Sequence, residues 1–338
     1  MLGTVIRSTQ LKPSIPLFKA DRNLPLFEAI SSNQGIQIRA GSQVAVGERV
    51  FDFDTTTAVE VPTHAAGTDY AIWATLDGDL VSSTNFSSPP ETGAIRIGGY
   101  HYAPGGNAPI PPPSYAGSTG GNSTPQINPQ SIHDLCFRPR CPDPRGMTFF
   151  GTGWADIYPC AQNHLDGLTS KFNATVASGA RPPRIPTFWG GDGSTNYPDG
   201  RWYFFSQVMS AYGKELPIQD NFMRAAYGST PGRAVGSDPV TASLDAQTTS
   251  WCGMIRATGS WWQWGDGASF GGTSQPDNFV NRSNGLGAEF AGPRTLLLGG
   301  GWNASGDAGP AAAGRSGLSD ASLVSYSARG FSAHINLA

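Results

Sequence analysis

The sequence predicts a loop-rich α+β fold, with a β-sandwich in the first part of the chain and two helices in the second. Three observations carry that expectation. The 338 residues include 44 glycines and 27 prolines but only 14% charged residues, a composition that favours turns, short strands and ordered loops over a helical body. From about Gly35, apolar residues recur at every second position, the period of a half-buried strand. Past the middle of the chain two segments change to a three- and four-residue apolar spacing, the period of a helix.

Taken in order, "IQIRA", "QVAVG", "VFDFD", "VEV" and "DYAIWATL" read as strands separated by Gly, Asp and Thr turns. In "VFDFD", Phe51 and Phe53 are expected to face a core while Asp52 and Asp54 face water. The stretch Asn107 to Ser131, "NAPIPPPSYAGSTGGNSTPQINPQS", is too rich in Pro, Gly, Ser and Asn for regular structure and marks a boundary near Asn128. A chain of this length is expected to divide in two. We place an extension at 1–17, a β-sandwich at 18–128 and a second domain at 129–338. In the second domain "DGRWYFFSQVMSAYG" predicts a helix with Trp202, Phe205, Met209 and Tyr212 on its apolar face, Asp199 as its cap and Gly213 as its terminator. "LPIQDNFMRAAYG" predicts another, burying Phe222 and Ala226 and ending at Gly228. After Gly228 the pattern turns to strands and long ordered loops, among them "SWWQWGDGASFGG", "RTLLLGGGW" and a strand-like "DASLVSY".

Composition also narrows function. A net charge of −3 leaves no basic patch for a phosphate backbone, which argues against nucleic acid as a partner. No apolar run approaches the length needed to span a bilayer, so no membrane insertion is expected. The first residues lack the basic start and apolar core of a secretory signal, so the chain is expected to fold in a cytoplasm, with Cys136, Cys141, Cys160 and Cys252 as free thiols. Matches to Asn-x-Ser/Thr at Asn85, Asn173 and Asn281 then carry no glycosylation message.

Little in the sequence points to catalysis. The histidines at 64, 101, 133, 164 and 334 lack the spacing of a metal site and read as structural or surface groups. Asp192 and Asp199 in "GGDGSTNYPDG" are first of all turn residues. Of Trp261, Trp262 and Trp264, the last two share a strand face that reads as core before it reads as a stacking platform. "QPD" at Gln275 to Asp277 and "WN" at Trp302 and Asn303 match two short calcium-and-sugar signatures of animal C-type lectins, but Ala304 stands where an acid usually follows. No cofactor is expected, and calcium is the one ion left open.

Several longer motifs carry a resemblance. "AGTDYAIWATLDG" (66–78), "NFSSP" (85–89), "GGYHYAPGGNA" (98–108), "FRPRCPDPRGMT" (137–148), "WADIY" (154–158), "FWGGDGS" (188–194) and the closing "GGGWN" and "ARGF" occur in order from Phe18 to the C-terminus. Together they resemble the tropism-determinant family of bacteriophage receptor-binding proteins, C-type-lectin-fold variable proteins diversified by retroelements. The resemblance implies a β-sandwich followed by a C-type lectin fold, at the tip of a phage tail fibre and thus on the virion. It implies a bacterial cell-surface receptor, protein or glycan, as target, other tail-fibre proteins as neighbours, and a homotrimer. The family's additional N-terminal β-prism has no room before the sandwich in this sequence.

In that family adenine-directed mutagenesis rewrites codons near the 3′ end of the gene, so the fold stays fixed while the binding face changes. Carried over without gaps, the diversified positions of the region 299–331 fall on Gly301, Asn303, Ala304, Ser305, Asp307, Gly314, Ser316, Gly317, Ala321, Leu323, Ser325 and Tyr326. Trp302, Arg315, Arg329 and Phe331 lie outside that set and are expected to support it. If "DASLVSY" is a strand, Ala321, Leu323 and Ser325 share its outer face. Leu323 and Tyr326 are the candidate anchors, with Asn303 and Asp307 supplying polar contacts. The small residues at the other positions predict weak binding per site, raised by several copies. Two alternatives remain: a calcium lectin of fixed specificity using Asp277 and Asn303, and a relative of formylglycine-generating enzymes. The second needs a pair of cysteines in the C-terminal part, where Cys252 is alone.

Overall fold

A computed structural model describes residues 17–110, 117–269, 279–281, 288–290 and 294–337. The architecture is β-rich with two helices and several small sheets.

In the first part, three sheets close on one core. The largest is antiparallel. Its central strand, Ile95–Ala103, pairs with Thr68–Ala74 on one side and with Gln126–Ile127 and His133–Asp134 on the other, and Leu80–Ser83 completes it. Leu17–Phe18, Ser42–Val46 and Arg49–Phe53 form a second sheet, while Phe27–Ala29, Ile36–Ile38 and Thr57–Ala58 form a third. Phe27, Ile36, Ile38, Val44, Tyr70, Ile72, Ile97 and Tyr100 meet between them, each fully buried side chain worth about 1.5–3 kcal/mol. Phe53 is buried, Phe51 is half-buried, and Asp52 and Asp54 are exposed, as the alternation predicts. "VEV" departs from expectation: Val59 is buried and Glu60 makes one isolated bridge to Val81, but no strand forms. Strand Thr68–Ala74 is covered on both faces, because Ala71 and Trp73 build a second small cluster with Ala94.

Asn128 sits where the composition changes, and it is fully buried. Its amide nitrogen donates to Thr148 Oγ1 (3.2 Å) and the Cys252 carbonyl (3.0 Å), while its oxygen accepts from Asn107 Nδ2 (2.9 Å) and the Gln130 amide (3.0 Å). Every donor and acceptor of the side chain is thus used, which makes the junction a fixed one. His101 extends it: one ring nitrogen lies 3.0 Å from Asp69 Oδ1 and the other 2.9 Å from the Tyr158 hydroxyl.

In the second part, an antiparallel sheet runs Phe137–Pro139, Phe331–Asn336, Gly153–Asp156, Met147–Phe149, so the last strand of the chain lies inside it. Another runs Ala313–Leu318, Arg294–Leu298, Trp262–Ser269, Tyr326–Ser327, its last pair parallel. Helix α1 (Trp202–Ala211) buries Phe204, Phe205, Val208 and Met209, and α2 (Gln219–Ala226) buries Phe222, Ala225 and Ala226. Gly213 follows α1 in the left-handed conformation that its predicted role as terminator requires. Asp199 does not cap α1. Its carboxylate instead binds Arg201 by backbone amide (3.2 Å) and by guanidinium (2.7 Å), and the helix begins without a side-chain cap.

Candidate binding face

The frame beneath the face is built around buried charge. Arg329 is 0% exposed, just ahead of the final strand. Its Nη1 donates to the carbonyls of Asp156 (2.7 Å) and Ile157 (2.6 Å), its Nη2 to those of Ile255 (2.8 Å) and Arg256 (3.2 Å), and its Nε to Gln263 Oε1 (3.1 Å). Burial pulls the guanidinium down to about 9, against Asp156 and Cys252, which pull it back up; the group stays charged at neutral pH. One side chain thus satisfies four backbone carbonyls, two at the end of strand Gly153–Asp156 and just beyond it and two in the loop at 255–256. Below it, Asp156 accepts from Lys214 Nζ (2.6 Å), Thr169 Oγ1 (2.9 Å) and the Gly330 amide (3.1 Å). Burial alone would lower Lys214, but Asp156, Cys141 and Asp143 outweigh it and hold the ammonium above its ordinary value. Phe331 is buried against Phe150 and the α2 cluster. Trp302 is half-buried against the cluster of Ile157, Tyr158, Val176 and Trp261.

Two segments rest on this frame. In the first, Gly301 is buried and bridges Ser260, and the chain then rises to the surface. Asn303, Ser305 and Asp307 are exposed and Ala304 half-buried, with a short 3-10 turn at Ser305–Asp307. The Trp302 amide donates to Ser260 (2.9 Å), and the Trp302 and Ala308 carbonyls accept from Gly236 (2.9 Å) and Gly232 (2.7 Å). The segment is therefore held through its backbone.

The second segment runs from Ala321 to Tyr326 and corrects the sequence reading. It is a turn and not an alternating strand: Leu323 (49%) and Val324 (36%) are both exposed, whereas Ser325 (8%) is buried. The Leu323 carbonyl accepts from the amides of Gly179 and Tyr326, both at 3.0 Å, and Ser322 Oγ accepts from the Gly200 amide at 2.9 Å. The Ser325 carbonyl accepts from Trp262 (2.8 Å). Ala321 is half-buried. Tyr326, expected as a free anchor, is also half-buried and meets Trp264 edge to face at 5.0 Å between ring centroids. Part of its surface belongs to the core. Of the two expected anchors, Leu323 is the one that solvent reaches freely.

Between the two segments lies Trp262, which sequence reasoning had assigned to the core together with Trp264. Trp264 is fully buried, and so is Trp261, but Trp262 is only half-buried. A Cβ on Gly301 would lie 2.9 Å from Trp262 Cδ1, and one on Gly314 would lie 3.8 Å from Cζ3. Two positions of the expected variable set thus flank this indole, and Trp262 is the register partner of a third, Tyr326. No local signal was available: Trp262 shares a strand face with Trp264, and the two glycines beside it, Gly301 and Gly314, are distant in sequence. Gly314, Arg315, Ser316 and Gly317 lie on strand Ala313–Leu318; the side-chain surroundings of residues 315–318 fall outside the described residues. Asp277, needed by the calcium reading, falls outside them too. Asp192 is a turn residue, its carboxylate accepting from the amides of Ser194 (2.8 Å) and Thr195 (2.7 Å).

A surface made of two loops, whose backbone is fixed from below and whose outward side chains are free, defines a binding protein. The chain belongs to the major tropism determinant family of phage tail fibres. It is 38% identical over 333 aligned residues, 94% of this chain and 84% of the relative, to the tail fiber receptor-binding protein of Bordetella phage BPP-1. Residues 27–134 match the family described as the Mtd second domain. Among solved structures, the Major Tropism Determinant M1 variant superposes with a TM-score of 0.88 at 38% identity, covering 96% of this chain and 87% of that one. The U1 variant does so with 0.87 at 38%, covering 95% and 86%.

Proposed function

We propose that this chain is the receptor-binding protein of a phage tail fibre, a component of the virion that attaches it to a bacterial surface and catalyses nothing. The observation that carries the reading is the likeness to the tropism determinants along nearly the whole chain, in sequence and in fold together. We read the chain as a β-sandwich at 18–128 followed by a C-type lectin fold at 129–338, the first contributing a rigid support and the second the face. Contact with the receptor falls to the twelve positions Gly301, Asn303, Ala304, Ser305, Asp307, Gly314, Ser316, Gly317, Ala321, Leu323, Ser325 and Tyr326. Arg329, Phe331, Trp302 and Arg315 belong to the support. As in the expectation from sequence, the fibre carries the chain as a homotrimer, which multiplies weak single contacts.

Virions that lack this chain test the function. They are expected to assemble and to fail to adsorb, and adsorption at the rate of the intact virion would overturn the reading. The variable set has its own test, the DNA beside the gene. A non-coding near-copy of the 3′ end, differing at its adenines and lying next to a reverse transcriptase gene, is the expected result. Without one, the twelve positions lose their special status and a face of fixed specificity takes their place.

A further inference from the structure

The two segments of the face are far apart in sequence from the loops that hold them, and an ion pair joins those loops to each other. Arg181 closes the turn that begins at Ser178, the Ser178 amide donating to its carbonyl at 2.8 Å. That turn also contains Gly179, whose amide binds the Leu323 carbonyl. The Arg181 guanidinium makes a two-pronged pair with Asp238, Nη1 to Oδ2 at 2.7 Å and Nη2 to Oδ1 at 3.0 Å, while its Nε donates to the Val176 carbonyl at 3.1 Å. Asp238 belongs to the loop 232–240, whose Gly232 and Gly236 bind the Ala308 and Trp302 carbonyls.

Asp238 does more than pair. Its Oδ1 also accepts from the Val240 amide (3.1 Å), and Val240 has φ +62°, a left-handed backbone that a β-branched residue rarely adopts. The Val240 carbonyl in turn accepts from Val176 (2.9 Å). Strain of this kind persists where surrounding bonds over-determine the backbone. Here one of those bonds comes from the same carboxylate that holds Arg181 and the other from the Val176 amide.

We propose that Arg181 and Asp238 are positioning residues of the binding face, a clamp that fixes 321–326 relative to 301–309. The inference rests on the reading of those segments as the face. The clamp reaches the face through the main-chain oxygens of Trp302, Ala308 and Leu323, so it holds its geometry whatever side chain stands at Leu323 or in 303–307. Ser322, whose Oγ donates to the Gly179 carbonyl at 3.5 Å, is a side chain involved on that side, and it lies outside the variable set. Both charged groups are mostly buried, at 18% and 19% exposed, where a two-pronged, charge-assisted pair is strong and directional. Lysine cannot reproduce it, having the charge without the fork.

Hydrogen exchange on the full-length protein tests the clamp without any ligand, so its outcome is separate from whether the chain binds a receptor. The variants are Arg181→Lys, Asp238→Asn and the exchanged pair Arg181→Asp with Asp238→Arg. Each single variant is expected to speed exchange of the Gly179 and Tyr326 amides about tenfold or more, since both donate to the Leu323 carbonyl. Strand Phe331–Asn336 should exchange as in the parent, and the exchanged pair should recover part of the protection. Unchanged exchange at Gly179 and Tyr326 would overturn the proposal. Equal acceleration throughout the chain, final strand included, would overturn it as well, since that is the mark of a pair that serves only global stability.

Discussion

Arg329 and Leu323 lie six residues apart and have opposite surroundings. Arg329 has no exposed surface and gives its bonds to four backbone carbonyls and one amide oxygen. Replacing it by methionine fills most of the space and leaves those carbonyls unpaired, which is expected to cost about 3–5 kcal/mol. Leu323 is 49% exposed, and only its backbone is engaged. Leu323→Ala is expected to leave stability within about 0.5 kcal/mol of the parent and to slow adsorption of virions carrying it about tenfold. Tyr326→Ala falls between, costing about 1–2 kcal/mol through lost contact with Trp264 as well as weakening adsorption. Urea unfolding alongside an adsorption assay checks all three. Equal stability losses at Arg329 and Leu323 would remove the distinction between support and face.

The helices were legible because their information is local: Phe205 and Met209, or Phe222 and Ala226, are one turn apart and mark a buried side without reference to anything else. The strand at Arg49–Phe53 was legible for the same reason. Segment 321–326 was not, since its shape is set by Gly179 and Gly200, more than a hundred residues away. Alternating apolar and small residues suggested a strand, and distant hydrogen bonds made a turn. Gly179 carries that dependence. A Cβ there would lie 2.5 Å from the Leu323 nitrogen and the Ser322 carbonyl carbon, its nearest neighbours being backbone atoms and not a side chain able to swing away. Gly179→Ala is therefore expected to push the turn off its seat at about 1–3 kcal/mol, whereas Gly306→Ala, with nothing within 4 Å of a new Cβ, should stay within about 0.5 kcal/mol. Thermal melts of the two variants decide it, and a neutral Gly179→Ala would mean that the two backbones do not touch as described. The same logic explains Arg329 and the Arg181–Asp238 pair: a lone arginine in a sequence does not announce which loops it will tie together.

At the scale of the whole molecule, four of the five histidines are held below their ordinary value of 6.5, in each case chiefly by burial. They are distributed over both parts of the chain. His64 lies against the Tyr100 hydroxyl (2.9 Å), and His133 against the Ser131 carbonyl (3.2 Å). His164 sits between the Tyr212 hydroxyl (2.9 Å) and the Arg184 carbonyl (2.7 Å), and His334 accepts from Trp154 Nε1 (3.1 Å). In the unfolded chain each takes up its proton near pH 6.5; in the folded protein each does so at a lower pH. Between those two points the unfolded state binds more protons, so stability rises with pH through the window and is lost as pH falls below about 6.5, by up to about 1.4 kcal/mol per pH unit for a fully buried ring such as His133 and by less for the partly exposed His64 and His334. Asp143 is not involved in that window. Burial raises its carboxyl, but its bonds to Arg145 outweigh this and hold it below 3.8, so its contribution is lost only in stronger acid. Melting temperature measured at constant ionic strength is therefore expected to be level from pH 8 to 7 and to fall steadily from about pH 6.5 to 5. Because the four shifted histidines, half-buried His64 among them, lie on both sides of the Asn128 junction, the two parts should lose stability together and melt in one transition. A melting temperature that stays level down to pH 5 would show that the rings titrate at their ordinary value and are not held neutral by the fold.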